Sequence, residues 1–239
     1  MFGLGTIINC VGILLGGILG LLCGRILKDS VQDALTKTCG VCVLFIGIAG
    51  ALEGMLSVQD TAVISGGSML IVGCLAIGTL LGELFKIENG FEKFGQWLKM
   101  KTGNAKDKSF VDAFVTASLT VCIGAMAIVG AIQDGLAGDP SILTTKAVLD
   151  LIIIMVMTCA MGKGCIFSAI PVALFQGSIT VLSGLLRPIM TDAALLNLSV
   201  VGSILIFCVG VNLVFGKKLR VANMLPGVVI AVIAAFLPF

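Results

Sequence analysis

The feature that most constrains this chain is a succession of apolar runs, each close to the length of a membrane-spanning helix. A transmembrane helix needs roughly 20 apolar residues, because the hydrocarbon core is about 30 Å thick and each residue adds about 1.5 Å. The runs predict an all-α, polytopic bundle of about eight helices that forms a single transmembrane domain over residues 1–239. The predicted spans are residues 3–24, 38–57, 63–85, 112–134, 145–161, 165–186, 195–215 and 222–238.

The composition narrows the class of function. Only 12% of the residues are charged, whereas soluble domains carry about 25%, so the chain cannot build a water-facing surface. It has no histidine, the commonest metal ligand and general base, and most of its nine cysteines lie in apolar runs where thiols pack as small hydrophobes. The motifs Gly-x-Ser-x-Gly and His-Glu-x-x-His are absent. We therefore expect no enzyme activity, no metal or cofactor and no nucleic-acid partner.

The basic residues predict the orientation of the bundle. Of the 15 lysines and arginines, 13 fall on one side of the predicted membrane, and only Lys146 and Arg187 fall on the other. Because loops rich in Lys and Arg stay in the cytoplasm, the rich side is predicted to be cytoplasmic and both termini to be outside. The one long polar segment, residues 86–110, is then cytoplasmic. Its apolar residues recur at helical spacing, which predicts an amphipathic helix on the inner leaflet, with a solvated linker as the alternative.

Two patterns concern how the helices pack. Residues 36–56 align with residues 116–136 without a gap, which suggests a duplicated helical hairpin of the kind found in transporter folds. Gly12, Gly16, Gly20 and Gly24 form a ridge along the first span at four-residue spacing. Such ridges let helix backbones approach closely, so we expect tight helix packing or homo-oligomerisation rather than a glycine-lined pore.

Polar side chains at membrane depth are the candidate site residues, since each costs a few kcal/mol to insert. One group, near the outer ends of spans two, four and five, predicts either an outer vestibule or simple helix caps. A second group surrounds Pro171 in span six, where a proline removes a helix hydrogen bond beside a polar side chain near the midplane. The outer group is Glu53, Gln133, Asp134 and Asp150; the second is Ser168, Pro171 and Gln176, joined across the bundle by Asn9 and Asn212.

Four blocks of sequence resemble a known family. They are GTIIN at residues 5–9, GAMAIVGAIQDGL at 124–136, FSAIPV at 167–172 and VANMLP at 221–226. Together they are similar to the bacterial membrane family known as domain of unknown function 554, and the similarity extends over essentially the whole chain. The resemblance implies a multi-pass protein of the bacterial inner membrane, in a family sometimes labelled as transporters. It implies no activity for particular residues.

Two functions from different classes follow. The first is a transporter or channel for a small solute or ion, with a cation favoured because the outer group is acidic. The second is a membrane scaffold that oligomerises through its glycine ridge and docks partners on residues 86–110. A hydrated cavity that reaches the midplane would favour the first, and a dry bundle the second.

Overall fold

The structure is a computed structural model that describes residues 3–59 and 62–237, without the side chains of Asp29, Val58 and Gln59. Helices account for most of it, and a small hairpin joins the second helix to the third. The elements are α1 Leu4–Gly24, α2 Asp29–Met55, β1 Leu56–Gln59, β2 Ala62–Ser65, α3 Ser68–Phe85, α4 Ile87–Lys101, α5 Phe110–Cys122, α6 Ala125–Ala137, α7 Ser141–Met161, a 3-10 helix Lys163–Ser168, α8 Ala169–Val181, α9 Ser183–Leu186, α10 Asp192–Phe215, α11 Val221–Met224 and α12 Pro226–Ala234.

The predicted all-α polytopic bundle is confirmed. Six described helices are long and apolar enough to span a membrane, and the pair α5–α6 makes a seventh if it counts as one bent span. The eighth predicted span corresponds to the shorter apolar stretch Val221–Ala234. Helices dominate because lipid offers no hydrogen-bond partner, so each spanning segment must satisfy its own backbone groups.

Three close helix pairs organise the bundle. We call the end where α1 begins the upper end and the end where α1 finishes the lower end. α1 runs parallel to α7, since Gly12 faces Ala147 near the upper end and Gly24 faces Cys159 near the lower end. α2 runs antiparallel to α10, and α3 antiparallel to α11 and α12. The helices of these pairs thus run in the directions expected of a chain that crosses a membrane back and forth.

The glycine ridge of α1 packs inside the chain. A Cβ atom built on Gly16 would lie 2.3 Å from the carbonyl oxygen of Leu151, and one on Gly20 would lie 2.3 Å from that of Met155. Such distances allow no side chain, so the backbones of α1 and α7 are in direct contact. The ridge is covered by α7 and is not a free surface for a second copy of the protein.

Two span boundaries differ from the prediction. Span three was predicted from residue 63, but residues 62–65 form β2, which pairs antiparallel with β1, and the helix begins only at Ser68. Span four was predicted as one helix over 112–134, but α5 ends at Cys122 and α6 begins at Ala125 after a bend of 63°. The break lies at Gly124, whose φ of 147° suits only glycine.

The same break argues against the predicted duplication. The 80-residue offset aligns α2, which is continuous, with α5–α6, which is interrupted at Gly124. The two segments therefore do not share a conformation.

Pro171 was predicted to break span six, but it is the third residue of α8, directly after the 3-10 helix. In a first turn, a proline removes no hydrogen bond that the helix would otherwise make. The irregular part of this span is the 3-10 segment before Pro171.

α4 is an amphipathic helix that lies against the lower part of the bundle. Leu98 is buried, and the ring of Phe94 packs on that of Phe114 in α5 with 5.8 Å between centroids. The opposite side is polar, and Trp97 at its border remains half exposed. The helical spacing in residues 86–110 thus reflects packing on α5 as well as any contact with lipid.

Candidate functional site

A group of buried polar side chains surrounds α1 over most of its length. Seven of their oxygen or nitrogen atoms are buried and have no hydrogen-bond partner among the described residues. We call these seven residues the polar seam. They are Thr6, Asn9, Asp134, Thr158, Ser168, Gln176 and Thr180. Buried polar groups are nearly always paired in folded proteins, so this concentration in one place needs an explanation.

The upper end of the seam is the contact between Asp134 and α1. Asp134 is fully buried, and one of its carboxylate oxygens accepts a hydrogen bond of 2.9 Å from the backbone N–H of Gly5. The first N–H groups of a helix have no intrahelical partner and carry a partial positive charge, so a carboxylate stabilises them. The other oxygen, Oδ1, has no partner within the described chain. Thr180 adjoins this contact, because its carbonyl lies against Gly135.

The middle of the seam joins α1 to α8. The Nδ2 group of Asn9 donates to Oε1 of Gln176 over 3.3 Å, and both side chains are completely buried. This bond leaves an acceptor on Asn9 and a donor on Gln176 without partners in the described structure. Asn9 lies about 7 Å along α1 from its start, in the upper half of a bilayer about 30 Å thick.

The lower part of the seam is formed by Ser168 and Thr158. Ser168 closes the 3-10 helix, one residue before Ala169, whose carbonyl oxygen accepts a weak hydrogen bond from the thiol of Cys10. Thr158 on α7 lies against Gly20 of α1. From Thr6 to the level of Gly20, the seam follows about 21 Å of helix.

A buried ion pair adjoins the seam at the break between α5 and α6. The ammonium of Lys146 lies 2.5 Å from Oδ2 of Asp150, one turn further along α7, and their side chains are only 8% and 5% exposed. The same ammonium donates to the backbone carbonyl of Val121, over 2.9 Å. Asn9 approaches the Asp150 carboxylate from α1, which links the pair to the seam.

The seam is closed at its upper end. Leu143, near the start of α7, is fully buried, and it fills the space beside Gly5 of α1 and Gly130 of α6. A Cβ atom on either glycine would come within 3 Å of the Leu143 side chain. α1, α6 and α7 therefore meet in close contact above Asn9.

The lower end of the bundle contains a cavity of about 260 Å³ with both polar and apolar walls, which we call the lower cavity. Its polar lining comes from Thr36, Glu88, Asp112, Thr116, Asn212 and Lys217. Lys217 pairs with the buried Glu88 at 2.9 Å and also with Glu92. Burial lowers the pKa of Lys217, but the hydrogen bonds to Glu92 and Glu88 and the charges of these two carboxylates together raise it more, so its pKa lies above the ordinary value. The cavity reaches Leu119, two residues before the carbonyl of Val121.

An apolar groove runs along the other side of α8. It has a volume of about 830 Å³ and lies between α4, the α5–α6 break, α8 and α12. Pro171, Leu174 and Phe175 line it, whereas Gln176 and Thr180 project from the opposite face of α8. Pro171 therefore belongs to the groove and not to the seam.

Three other predicted site residues also lie apart from the seam. Glu53 is exposed on α2, and so it forms no vestibule with the buried Asp134 and Asp150. Gln133 donates to the carboxylate of Asp139 in the turn before α7. Asn212 holds the loop after α10 by accepting from the backbone N–H groups of residues 218 and 219, and it faces the lower cavity.

Lys146 is the main residue that the sequence analysis missed as a site residue. It was counted only as a basic residue on the extracytoplasmic side, yet it lies inside α7 and is 7% exposed. The spacing of Lys146 and Asp150 was an available signal, because residues four apart share one helix face. Thr6, Thr158 and Thr180 were also missed, since threonine is common in membrane helices and usually bonds within its own helix.

No metal site is evident in residues 3–59 and 62–237, where no three Cys, Asp or Glu side chains lie together. The site's chemistry is instead that of amides, hydroxyls, carboxylates and one ammonium. Such a set can bind a cation or water, or pass a small polar solute, without chemical change.

Comparison with known proteins gives relatives of full length. The family described as "Protein of unknown function (DUF554)" matches residues 4–236. The "Uncharacterized protein YqgA" of Escherichia coli is 28% identical over 232 residues, which cover 95% of this chain and 94% of that protein. The "Uncharacterized membrane protein YdfK" of Bacillus subtilis is 28% identical over 232 residues, which cover 97% and 95%. No solved structure matches the chain.

Proposed function

The chain belongs to the DUF554 family, as its sequence blocks indicated, and we propose that this membrane protein is a transporter that carries a small cation through the polar seam. The observation that carries the proposal is the set of seven unpartnered polar atoms around α1. In a hydrocarbon environment each such atom costs several kcal/mol. A seam of this kind is stable when water or a solute supplies the missing hydrogen bonds, as it would along a transport path.

The charge of the seam favours a cation. Asp134 and Asp150 are both buried, and Lys146 neutralises only one of them. An unpaired carboxylate in a low-dielectric interior attracts a cation strongly. The proposed cation site is thus internal, around Asn9, Gln176 and the two aspartates, and does not involve an exposed acidic rim.

The architecture also suits a carrier. Transporter sites are commonly built at interrupted helices near the midplane, and the bend between α5 and α6 lies beside Asp150. Asp150 lies about 13 Å along α7, close to the middle of a core about 30 Å thick. The seam is closed above by Leu143, which suits a carrier in which access to the site alternates.

The transport proposal predicts a specific loss in Gln176→Leu. The protein is reconstituted into vesicles of phosphatidylethanolamine and phosphatidylglycerol. These vesicles should take up protons, rubidium or methylammonium at a higher rate than protein-free vesicles do. Gln176→Leu should lower that rate about tenfold or more, because it removes a buried amide and leaves Asn9 unpaired.

Gln133→Leu is the matched control, since Gln133 bonds only the turn at Asp139. Its rate should stay within about twofold of the parent, as for a substitution outside the path. If none of the three cations crosses faster than in empty vesicles, the proposed function is wrong.

We also propose that the lower end faces the cytoplasm of a bacterial cell. Of the 15 basic residues, 13 lie toward that end, and with Lys146 buried in α7 only Arg187 remains near the upper end. The excess of basic residues is the signal that holds loops in the cytoplasm.

The orientation predicts how introduced cysteines react with a membrane-impermeant maleimide. In intact cells, Asp139→Cys should be labelled from outside, and Asn104→Cys only after the membrane is made permeable. The parent protein controls for its nine native cysteines. Labelling of both positions from the same side would contradict the topology.

The scaffold alternative loses the glycine ridge as its surface for oligomerisation, because α7 covers the ridge on α1. Docking of partners on residues 86–110 stays a prediction. Homo-oligomerisation stays a prediction, but it would need a different face of the bundle.

A further inference from the structure

The ammonium of Lys146 has the surroundings of a bound cation. Its nitrogen lies 2.5 Å from a carboxylate oxygen of Asp150 and 2.9 Å from the carbonyl oxygen of Val121. The ammonium belongs to α7 and the carbonyl to α5, so the site forms only when these two helices pack together. An ammonium has three N–H donors, and these two contacts use two of them.

The carbonyl of Val121 is available because α5 ends there. Cys122 is the last residue of α5, Ile123 is extended, and Gly124 turns the chain away. The last carbonyls of a helix have no intrahelical partner and carry a partial negative charge, which stabilises a nearby cation. The break between α5 and α6 therefore supplies half of a cation site.

A second and independent observation is the unused acceptor on Asn9. Its Oδ1 atom is completely buried and has no partner in the described chain, and the side chain lies beside Asp150. Lys146 thus leaves this acceptor and one of its own N–H donors unused. A free primary ammonium has the same three donors but is not tied to α7, so it can turn them toward acceptors that Lys146 does not reach.

Lys146 is also close to the upper end of α7. It lies five residues after the start of α7, about 7 Å below the upper end. A lysine stem of four flexible carbons spans nearly that distance, so the ammonium can reach the interface while the stem stays in apolar surroundings. If another cation then binds Asp150, the carboxylate is neutralised both when Lys146 is bound there and when Lys146 has moved away.

We propose that Lys146 is a tethered occupant of a cation site formed by Asp150, Val121 and Asn9, and that a ligand with a primary ammonium group takes its place. This inference rests on the proposed transport function and deepens it. The two head groups compete for the same oxygens, so entry of the ligand requires Lys146 to swing out. Exchange of this kind couples binding at Asp150 to a movement at the upper end of α7, beside the closure at Leu143.

The test is a ligand-dependent thermal shift of Lys146→Ala in detergent micelles. Ammonium chloride, methylammonium chloride and n-butylammonium chloride are added separately, with tetramethylammonium chloride at the same ionic strength as the control cation without N–H donors. At saturation the melting temperature of Lys146→Ala should rise by roughly 5 °C with a primary ammonium, by the linkage of binding to folding. The parent should shift by less than about 1 °C, because its own ammonium fills the site.

The different amines distinguish an inorganic from an organic ligand, and the double variant tests whether the shift depends on Asp150. A shift with ammonium itself indicates that the head group suffices, whereas a shift with n-butylammonium alone indicates an organic amine. The double variant Lys146→Ala with Asp150→Asn should lose the shift. No shift with any primary ammonium, or an equal shift in the double variant, overturns the proposal.

A Lys146→Ala variant that yields folded protein only when methylammonium is present during purification also agrees with the proposal. In that case, unfolding of the protein when methylammonium is removed by dialysis is measured in place of the thermal shift. Failure to fold with and without the amine contradicts the proposal. Because no gradient is involved, these outcomes are independent of the vesicle assay, which alone decides whether the protein transports.

Discussion

Gly16→Ala is expected to destabilise the protein by about 3 kcal/mol and to lower its melting temperature by roughly 10 °C in detergent. The added methyl carbon would lie 2.3 Å from the carbonyl oxygen of Leu151, and the next two atoms it meets are also backbone atoms. Backbone cannot rotate aside as a side chain can, so α1 and α7 must separate. Separation loosens contacts along the whole ridge, and Gly20→Ala should behave in the same way for the same reason.

Gly73→Ala is the matched control for this prediction. Gly73 also lies within a membrane helix, α3, but a Cβ atom built on it meets no atom within 4 Å. Alanine has the higher helix propensity by up to about 1 kcal/mol, so this variant should be as stable as the parent or slightly more stable. Equal melting temperatures for Gly16→Ala, Gly20→Ala and Gly73→Ala would mean that α1 does not pack on α7 as described.

The second large effect is expected at Lys146. Lys146→Met should cost about 3–5 kcal/mol, because the methionine keeps the length of the stem but leaves the buried Asp150 carboxylate without its counter-ion. The carbonyl of Val121 loses its donor as well. Thermal unfolding of the purified variant in detergent measures the loss.

A double-mutant cycle separates the ion pair from ordinary packing. Lys146→Met combined with Asp150→Leu should recover much of the stability, since replacing both charges of a buried pair by apolar groups is often neutral. The coupling free energy between the two sites should then be about 2 kcal/mol or more.

Lys37→Met provides the comparison, because Lys37 and Asp33 form a pair at the same four-residue spacing with 56% and 64% exposure. That variant should lose less than about 1 kcal/mol. Additive effects at positions 146 and 150 would refute the buried pair.

The helices were predictable because their signal is local. In lipid every backbone group must be satisfied within its own segment, so the length and hydropathy of a run nearly suffice to predict a helix. The boundaries that failed were those with a competing local structure. The apolar residues 62–65 form a strand paired with β1. The run 112–134 is interrupted at Gly124, but a single glycine hardly changes the mean hydropathy of the run.

The site was predictable only in its parts. Asn9, Asp134, Asp150, Ser168 and Gln176 were identified because polar residues are costly in apolar runs. Their partners were not, because Asn9 meets Gln176 across 167 positions of the chain and Asp134 meets Gly5 across 129. Glu53 looked equivalent to Asp134 in sequence, yet one is exposed on α2 and the other is completely buried.

The sequence by itself determined that this chain is a bundle of membrane helices with a basic end, acidic and amide side chains within its apolar runs and a glycine face on its first helix. Each of these depends on composition within a single segment. Only the tertiary structure decided what those segments meet: that the glycine face is covered by α7, that Lys146 is buried between Asp150 and the broken end of α5, and that the unpaired polar atoms form one seam. The physical reason is that helix–helix packing in a membrane depends on shape and on a few hydrogen bonds between residues distant in sequence. The mean hydropathy of a segment contains information on neither.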